Sequence, residues 1–231
     1  MSKRLTELLD KLEYETVQGT TQKEVTAVVY DSRKVIPGCL FICIGGANFD
    51  GHDFAAQVAA QGAGVLVVQK DVELAADSDV TVIKVADTRY AMAFISAAWF
   101  DHPAEKLKVI GITGTKGKTT TTYLVKSILE NAGYKAGLVG TIEVIIGDEH
   151  IHANNTTPES YLLQEYFARM VEAGLDTVVM EVSSQALMLH RTQGFVFDYG
   201  IFTNLEPDHI GPNEHASFEE YLHCKGLLFK Q

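Results

Sequence analysis

Leu107-Lys108-Val109-Ile110-Gly111-Ile112-Thr113-Gly114-Thr115-Lys116-Gly117-Lys118-Thr119-Thr120 decides how this chain is read. Leu107–Ile112 is apolar without alternation, the pattern of a strand buried on both faces of a parallel sheet. The glycines after it predict a loop that turns its backbone N–H groups inward. A helix follows, with Val125, Ile128, Leu129 and Ala132 at i, i+3, i+4 and i+7 and Gly133 at its end. Strand, Gly-rich loop and helix in that order make a cradle for phosphate, because inward N–H groups and a helix N-terminus both favour an anion. Lys118 is placed to neutralise β- and γ-phosphates, and the Thr119 hydroxyl to ligate Mg²⁺. The spacing departs from G-x-x-x-x-G-K-[ST]: Ile112 stands at the first glycine position, and Gly111 comes one residue early. The shorter Gly-Thr-x-Gly-Lys-Thr form fits residues 114–119.

Around this segment the alternation of strands and helices continues. Ala136–Val139, Thr177–Val182 and Tyr199–Thr203 read as strands, with a helix near Ser160–Ala173. An earlier block has strands at Val25–Tyr30, Leu40–Ile44, Val65–Val68 and Val80–Val85. Helices are expected there at His52–Gln61 and from about Thr88 to Phe100. The polar segment from Asp101 to Lys106, with Pro103 restricting its predecessor, separates the blocks. The fold class is therefore α/β: a first α/β domain over 1–101, then a phosphate-loop domain with a mainly parallel sheet from 107 to 231.

The chain has 231 residues, 46% of them hydrophobic, with 30 acidic residues against 19 basic ones and a net charge of −11. That apolar content argues against disorder. The acidic balance argues against nucleic acid or an anionic membrane as partner, while leaving room for a local phosphate site. The longest apolar run, near Tyr90–Phe100, is about half the roughly 20 residues of a spanning helix. No leader segment is read at the start. Cys39, Cys43 and Cys224 have no metal spacing and read as reduced thiols, so a soluble cytoplasmic protein is expected.

Gly114-Thr115-Lys116-Gly117-Lys118-Thr119 resembles the ATP loop of the Mur ligases, and the remaining motifs follow in that family's order. Asp31-Ser32-Arg33, Pro37-Gly38-Cys39-Leu40-Phe41 and Asp50-Gly51-His52-Asp53-Phe54 are similar to the start of its UDP-binding domain. Asn155-Thr156-Thr157-Pro158, Glu181-Val182-Ser183-Ser184-Gln185-Ala186-Leu187 and the stretch from Asn204 to His209 are similar to its central domain. Thr156-Thr157-Pro158 with Glu181-Val182-Ser183-Ser184 looks most like the MurE type, which makes UDP-MurNAc-tripeptide. Members are about twice this length, so the resemblance implies a UDP-MurNAc-binding domain, an incomplete central domain and a C-terminal ligase domain that is absent here.

The resemblance implies an ATP-dependent ligase of peptidoglycan precursor synthesis. It would add a diamino acid, meso-diaminopimelate or L-lysine, to UDP-MurNAc-L-Ala-D-Glu through an acyl phosphate. It also implies the site residues. ATP would be held by Gly114, Thr115, Lys116, Gly117, Lys118, Thr119, Thr120 and Asn204. Two Mg²⁺ ions are implied, with Thr119, Glu181, His209 and a CO₂-derived carbamate on Lys225 as ligands. Lys118, Glu181, His209 and Lys225 form the catalytic set. Tyr30, Ser32, Ala47, Asn48 and Phe49 match positions that hold the uridine nucleotide. Asn155, Thr156, Thr157, Ser183 and Arg191 match positions around the muramoyl-dipeptide. Leu189 stands where a relative has glutamine, and Lys116 where many have asparagine. A monomer is expected. Two other readings are a non-catalytic module that binds ATP and UDP-sugar, and a folylpolyglutamate synthetase-like ligase. The second lacks a counterpart of the Asp31-Ser32-Arg33 block. A phosphate-loop kinase accounts for neither that block nor Glu181-Val182-Ser183-Ser184.

Overall fold

The computed structural model describes residues 2–46, 49–208, 210–211 and 214–231. The chain divides into two units, Met1–Trp99 and Phe100–Gln231.

In the first unit, β1 (Lys3–Arg4), α1 (Leu5–Leu8), β2 (Glu15–Gln18), β3 (Glu24–Val25) and β4 (Val28–Val29) precede β5 (Leu40–Ile42). α2 (Ala55–Ala60), β6 (Val65–Val68), β7 (Thr81–Lys84) and α3 (Thr88–Trp99) complete it. Its main sheet has the order β2-β7-β6-β5-β4, parallel from β4 to β7 and antiparallel only at β2. β5 and β6 are wholly buried, as their unbroken apolar runs predict. The expected strand Val25–Tyr30 is two short ones. β3 pairs with β1 in a small separate sheet, whereas β4 joins the main sheet, so the chain changes partners between them. The expected helix His52–Gln61 starts as a 3₁₀ turn, Gly51–Phe54, because the Asp50 carboxylate accepts the His52 N–H at 2.9 Å. α3 is capped by Asp87, whose carboxylate accepts from the N–H groups of Arg89 (2.7 Å) and Tyr90 (2.9 Å).

The second unit runs β8 (Lys108–Thr113), α4 (Lys118–Asn131), β9 (Ala136–Val139), β10 (Glu143–Ile146) and β11 (Glu149–His152). It continues through α5 (Ser160–Glu172), β12 (Thr177–Glu181), α6 (Ser184–Met188), β13 (Tyr199–Phe202) and α7 (Phe218–Gly226). The six-stranded sheet has the order β11-β10-β9-β12-β8-β13. β9, β12, β8 and β13 are parallel, and the β10–β11 hairpin extends one edge antiparallel. α5 buries Leu163, Phe167 and Met170 in the core on one face of this sheet. On α4 the expected stripe is rotated. Val125 and Leu129 pack on Ile110, Ile112 and Val179, but Ile128 is 66% exposed and Ala132 is exposed as well. Thr122 takes the missing place in the buried face, its hydroxyl donating to the Lys118 carbonyl at 2.8 Å, which lets a polar residue pack inward.

The parallel strands of this unit end together. After β9 comes Gly140-Thr141, after β12 Val182-Ser183, after β8 the Gly-rich loop, and after β13 Thr203-Asn204. Open α/β sheets place ligands at that edge.

Candidate nucleotide and acceptor site

Gly111 is a strand residue rather than a loop glycine. A Cβ there would meet the Phe197 ring at 2.7 Å, so its one-residue offset from the general loop pattern reflects packing. The two glycines that shape the loop are Gly114 (φ +144°) and Gly117 (φ +81°), the latter directly before α4. Gly114 is also a close approach, since a Cβ would lie 2.0 Å from the Thr203 hydroxyl.

Lys118 reaches back across the loop and donates to the carbonyls of Gly114 (2.9 Å) and Thr115 (3.0 Å). Burial lowers its pKa, against the opposing pull of Glu181 and Asp208. Lys225, on α7, is 2% exposed and donates to the same Gly114 carbonyl at 2.8 Å, its ammonium 4.4 Å from the Tyr221 ring centre. Burial and then the Lys118 charge push its pKa down to about 8, partly offset by Asp208.

Asn204 is placed differently from a residue that only faces ligand. Its side-chain oxygen accepts from Lys116 N–H at 2.9 Å, and its amide donates to Lys116 C=O at 3.1 Å. It straps the loop from the side. The Lys116 ammonium pairs with Glu206 across the same seam, and Tyr221 O–H donates to the Thr115 hydroxyl at 3.0 Å. Thr120 is exposed on the first turn of α4.

Glu181 ends β12 and is 1% exposed. Its carboxylate accepts from the Thr119 hydroxyl (2.9 Å), the Thr141 N–H (2.8 Å) and the Thr141 hydroxyl (3.1 Å). No ion pair reaches it among the described residues. A buried carboxylate held only by neutral donors, with a Thr hydroxyl alongside, is a pair of hard oxygens suited to Mg²⁺. His209, the expected further ligand, lies outside the described residues, as do Ala47 and Asn48. Among the described residues no group of three or more His, Cys, Asp or Glu is arranged to hold a metal.

Beside Glu181 opens a cleft lined by Lys118, Asn155, Thr156, Thr157, Ser183 and Arg191, with Ser184, Gln185, Glu214 and His215 completing its wall. The Thr157 hydroxyl donates to the Glu181 carbonyl at 2.9 Å and accepts from Ser183 N–H at 3.1 Å, tying the acceptor loop to the end of β12. The Ser183 side chain caps α6 by accepting from Ala186 N–H at 3.1 Å. The Arg191 guanidinium donates to the Thr157 carbonyl at 3.1 Å and pairs with Glu159 at 2.8 Å. Lys118 therefore borders both the phosphate loop and the cleft.

The fold and the motif order are matched by family comparison. A model described as "Mur ligase middle domain" matches residues 112–231, and one described as "Mur ligase family, catalytic domain" matches residues 24–100. The chain belongs to the Mur ligase family. Relatives within it include a UDP-N-acetylmuramoyl-L-alanyl-D-glutamate--2,6-diaminopimelate ligase of Clostridium perfringens. It is 47% identical over 227 residues, which is 98% of this chain and 46% of the relative. A ligase of the same name from Bacillus licheniformis is 45% identical over 229 residues, 99% of this chain and 46% of the relative. The chain thus spans a little under half the length of these Mur ligases. A solved structure of a diaminopimelate ligase of that name superposes with a TM-score of 0.82 over 99% of this chain and 45% of its own, at 23% identity; that likeness shows the Mur ligase fold.

In the first unit, of the expected nucleotide residues, Tyr30 and Ser32 follow β4 and Phe49 follows β5. Ser32 starts a 3₁₀ turn in which Asp31 accepts the Arg33 N–H at 3.0 Å, and Tyr30 precedes it half-buried. Phe49 is 76% exposed, and its carbonyl accepts from the Gly46 N–H at 2.9 Å. The Asp50 carboxylate pairs with Lys70 (2.7 Å) and His52 Nδ1 (2.6 Å), and these donors keep its carboxyl well below the usual range. Thr141, which donates twice to Glu181, is a residue of the candidate site that sequence reading missed, as are Tyr221 and His215. The signal for Thr141 was available: Glu143–Ile146 and Glu149–His152 flank Gly147-Asp148, a two-residue hairpin turn with Gly147 at φ +59°. That hairpin fixes the turn carrying Thr141. No helix among the described residues is long and apolar enough to cross a membrane.

Proposed function

We propose that this chain is the nucleotide-sugar-binding and ATP-binding part of a ligase that adds diaminopimelate to UDP-MurNAc-L-Ala-D-Glu. The observation that carries the reading is the position of Glu181, buried between the phosphate-loop Thr119 and the acceptor-cleft Thr157. ATP and a substrate carboxylate would meet across that residue. The names of the 45–47% identical relatives support the choice of substrates.

A carboxylate is a poor electrophile because oxide is a poor leaving group. In the proposed reaction a carboxylate oxygen of the acceptor bonds to the γ-phosphorus of ATP while the bond to the β-phosphate oxygen breaks, releasing ADP. The amine then attacks the acyl carbon, phosphate leaves with the C–O electron pair, and the amine loses a proton. Bringing two anions together is the main barrier, so positioning and charge dominate. Lys118 would contact phosphate oxygens and the incoming carboxylate, a role supported by its bordering both the loop and the cleft. Thr119 and Glu181, with His209, would hold Mg²⁺, which when bound screens phosphate charge. Lys225 fits the role of a carbamylated lysine: with a pKa of about 8, roughly a tenth of its amine is neutral at pH 7 and open to CO₂. Tyr30, Ser32 and the turn at Phe49 would hold the uridine nucleotide. Arg191, with Asn155, Thr156 and Ser183, would face the muramoyl-dipeptide. The amine is assigned to sequence in the relatives beyond the matched half. A cytoplasmic monomer is part of this reading.

Isothermal titration tests it. The 231-residue chain should bind ATP with Mg²⁺ and, separately, UDP-MurNAc-L-Ala-D-Glu, without forming amide. Lys118→Ala should weaken ATP by roughly 10- to 100-fold, the worth of a charged hydrogen bond, and weaken UDP-MurNAc-L-Ala-D-Glu less, because Lys118 is one of several residues lining the acceptor cleft. Unchanged ATP affinity in that variant refutes the assignment. Sustained amide formation by this chain refutes the division of labour.

A further inference from the structure

We propose that Thr141 is a positioning residue: the Gly140-Thr141 turn sets the direction of the Glu181 carboxylate and couples it to Thr156 on the acceptor side. This rests on the reading of Glu181 as a metal ligand.

Two independent contacts build the cradle. Thr141 gives Glu181 both its N–H, to Oε1 at 2.8 Å, and its hydroxyl, to Oε2 at 3.1 Å, so one residue grips both carboxylate oxygens. With Thr119 on Oε2 at 2.9 Å, the plane of the carboxylate is fixed by three donors from two elements. Gly140 supplies the clearance: a Cβ there would stand 2.7 Å from Glu181 Oε1. The turn is itself held by Gly140 N–H donating to the Glu143 carbonyl at 3.1 Å, at the foot of the β10–β11 hairpin. Glu143 is clamped to α4 by the Tyr123 hydroxyl at 2.6 Å.

The hydroxyl proton count gives the coupling a direction. Thr141 has one hydroxyl proton, and the carboxylate is a stronger acceptor than the Thr156 hydroxyl 3.1 Å away. Thr156 therefore donates to Thr141, and Thr141 donates to Glu181. With its proton committed to Thr141, the Thr156 hydroxyl in the cleft wall has only lone pairs to offer, which suits an N–H of the acceptor better than one of its carboxylates. A group that orients a metal ligand in this way typically changes metal affinity by about 10- to 100-fold when removed.

The experiment measures ADP binding by titration calorimetry across a Mg²⁺ series, with ADP in EDTA as reference. Thr141→Val keeps the shape and the N–H but removes the hydroxyl. It should raise the Mg²⁺ concentration at half-effect by about 10-fold and leave metal-free ADP affinity within about 2-fold. Thr141→Ser should restore the wild-type response, which a purely steric role for the side chain would not predict. Gly140→Ala keeps the Thr141 hydroxyl and crowds Oε1, and should shift the Mg²⁺ response in the same direction. Glu181→Gln separates the two levels of inference. If it leaves the Mg²⁺ response intact, the metal reading of Glu181 fails. If it abolishes the response while Thr141→Val and Gly140→Ala match wild type, the present inference alone is overturned. Thr141 is solvent-exposed, and unchanged thermal unfolding of Thr141→Val confirms that the comparison is made on folded protein.

Discussion

Lys225 shows how much a single buried side chain can carry. Its ammonium has a backbone carbonyl and an aromatic face as partners, but no carboxylate in contact, and Lys118 sits on the same carbonyl. Taking such a charge out of water costs several kcal/mol before compensation, so the residue lowers stability in return for its position. Its folded value of about 8 lies below the ordinary 10.5, so the unfolded chain binds more protons between those values. Stability should therefore rise with pH from about 8 to 10.5, and the burden should be fully present below 8. Lys225→Met, which keeps the length and removes the charge, should raise stability at pH 7 by about 1–3 kcal/mol and flatten that alkaline slope. Urea unfolding of both proteins at pH 7 and pH 10 checks the sign and the slope together. From sequence, Lys225 was legible only as a position matching a motif, because burial by a fold around it leaves no mark in nearby residues.

Among the elements, the parallel strands were the most legible and the edges the least. Val65–Val68 and Ala136–Val139 have the bounds their apolar runs suggest, since strands covered on both faces have no polar positions to blur them. The β10–β11 hairpin escaped notice because its second strand, Glu149-His150-Ile151-His152, is mostly exposed and polar. The α4 stripe misled through Ile128, since apolar spacing alone does not say which side of a helix meets the sheet when a threonine such as Thr122 packs inward. β8 carries a testable consequence. Gly111 is flanked by Phe197 and, at 3.0 Å from a notional Cβ, Leu228. Gly111→Ala should overpack this face and cost about 1–3 kcal/mol, with the phosphate loop downstream unaltered in sequence. Thermal unfolding gives the cost. ATP affinity should stay near wild type in whatever fraction is folded.

For the whole molecule, two units, each with a core and a sheet of its own, imply two unfolding events. Differential scanning calorimetry should resolve two transitions, and ATP with Mg²⁺ should move only the one belonging to Phe100–Gln231. At about 100 times its dissociation constant, ATP should stabilise that unit by roughly 2.7 kcal/mol. A single transition shifted as a whole would count against separate units. The charge map adds a contrast. The chain as a whole carries −11, yet two ammonium groups converge on the Gly114 carbonyl. Most of the molecule repels anions at long range, where salt mutes the effect, while that one spot attracts them at short range, where salt does little. While Lys225 carries no carbamate, like charges held side by side store a repulsion that a bound anion relieves, and relieves more the higher its charge. The loop should therefore behave as a valence filter, passing over adenosine, tolerating the monophosphate and favouring the triphosphate, by charge rather than by shape.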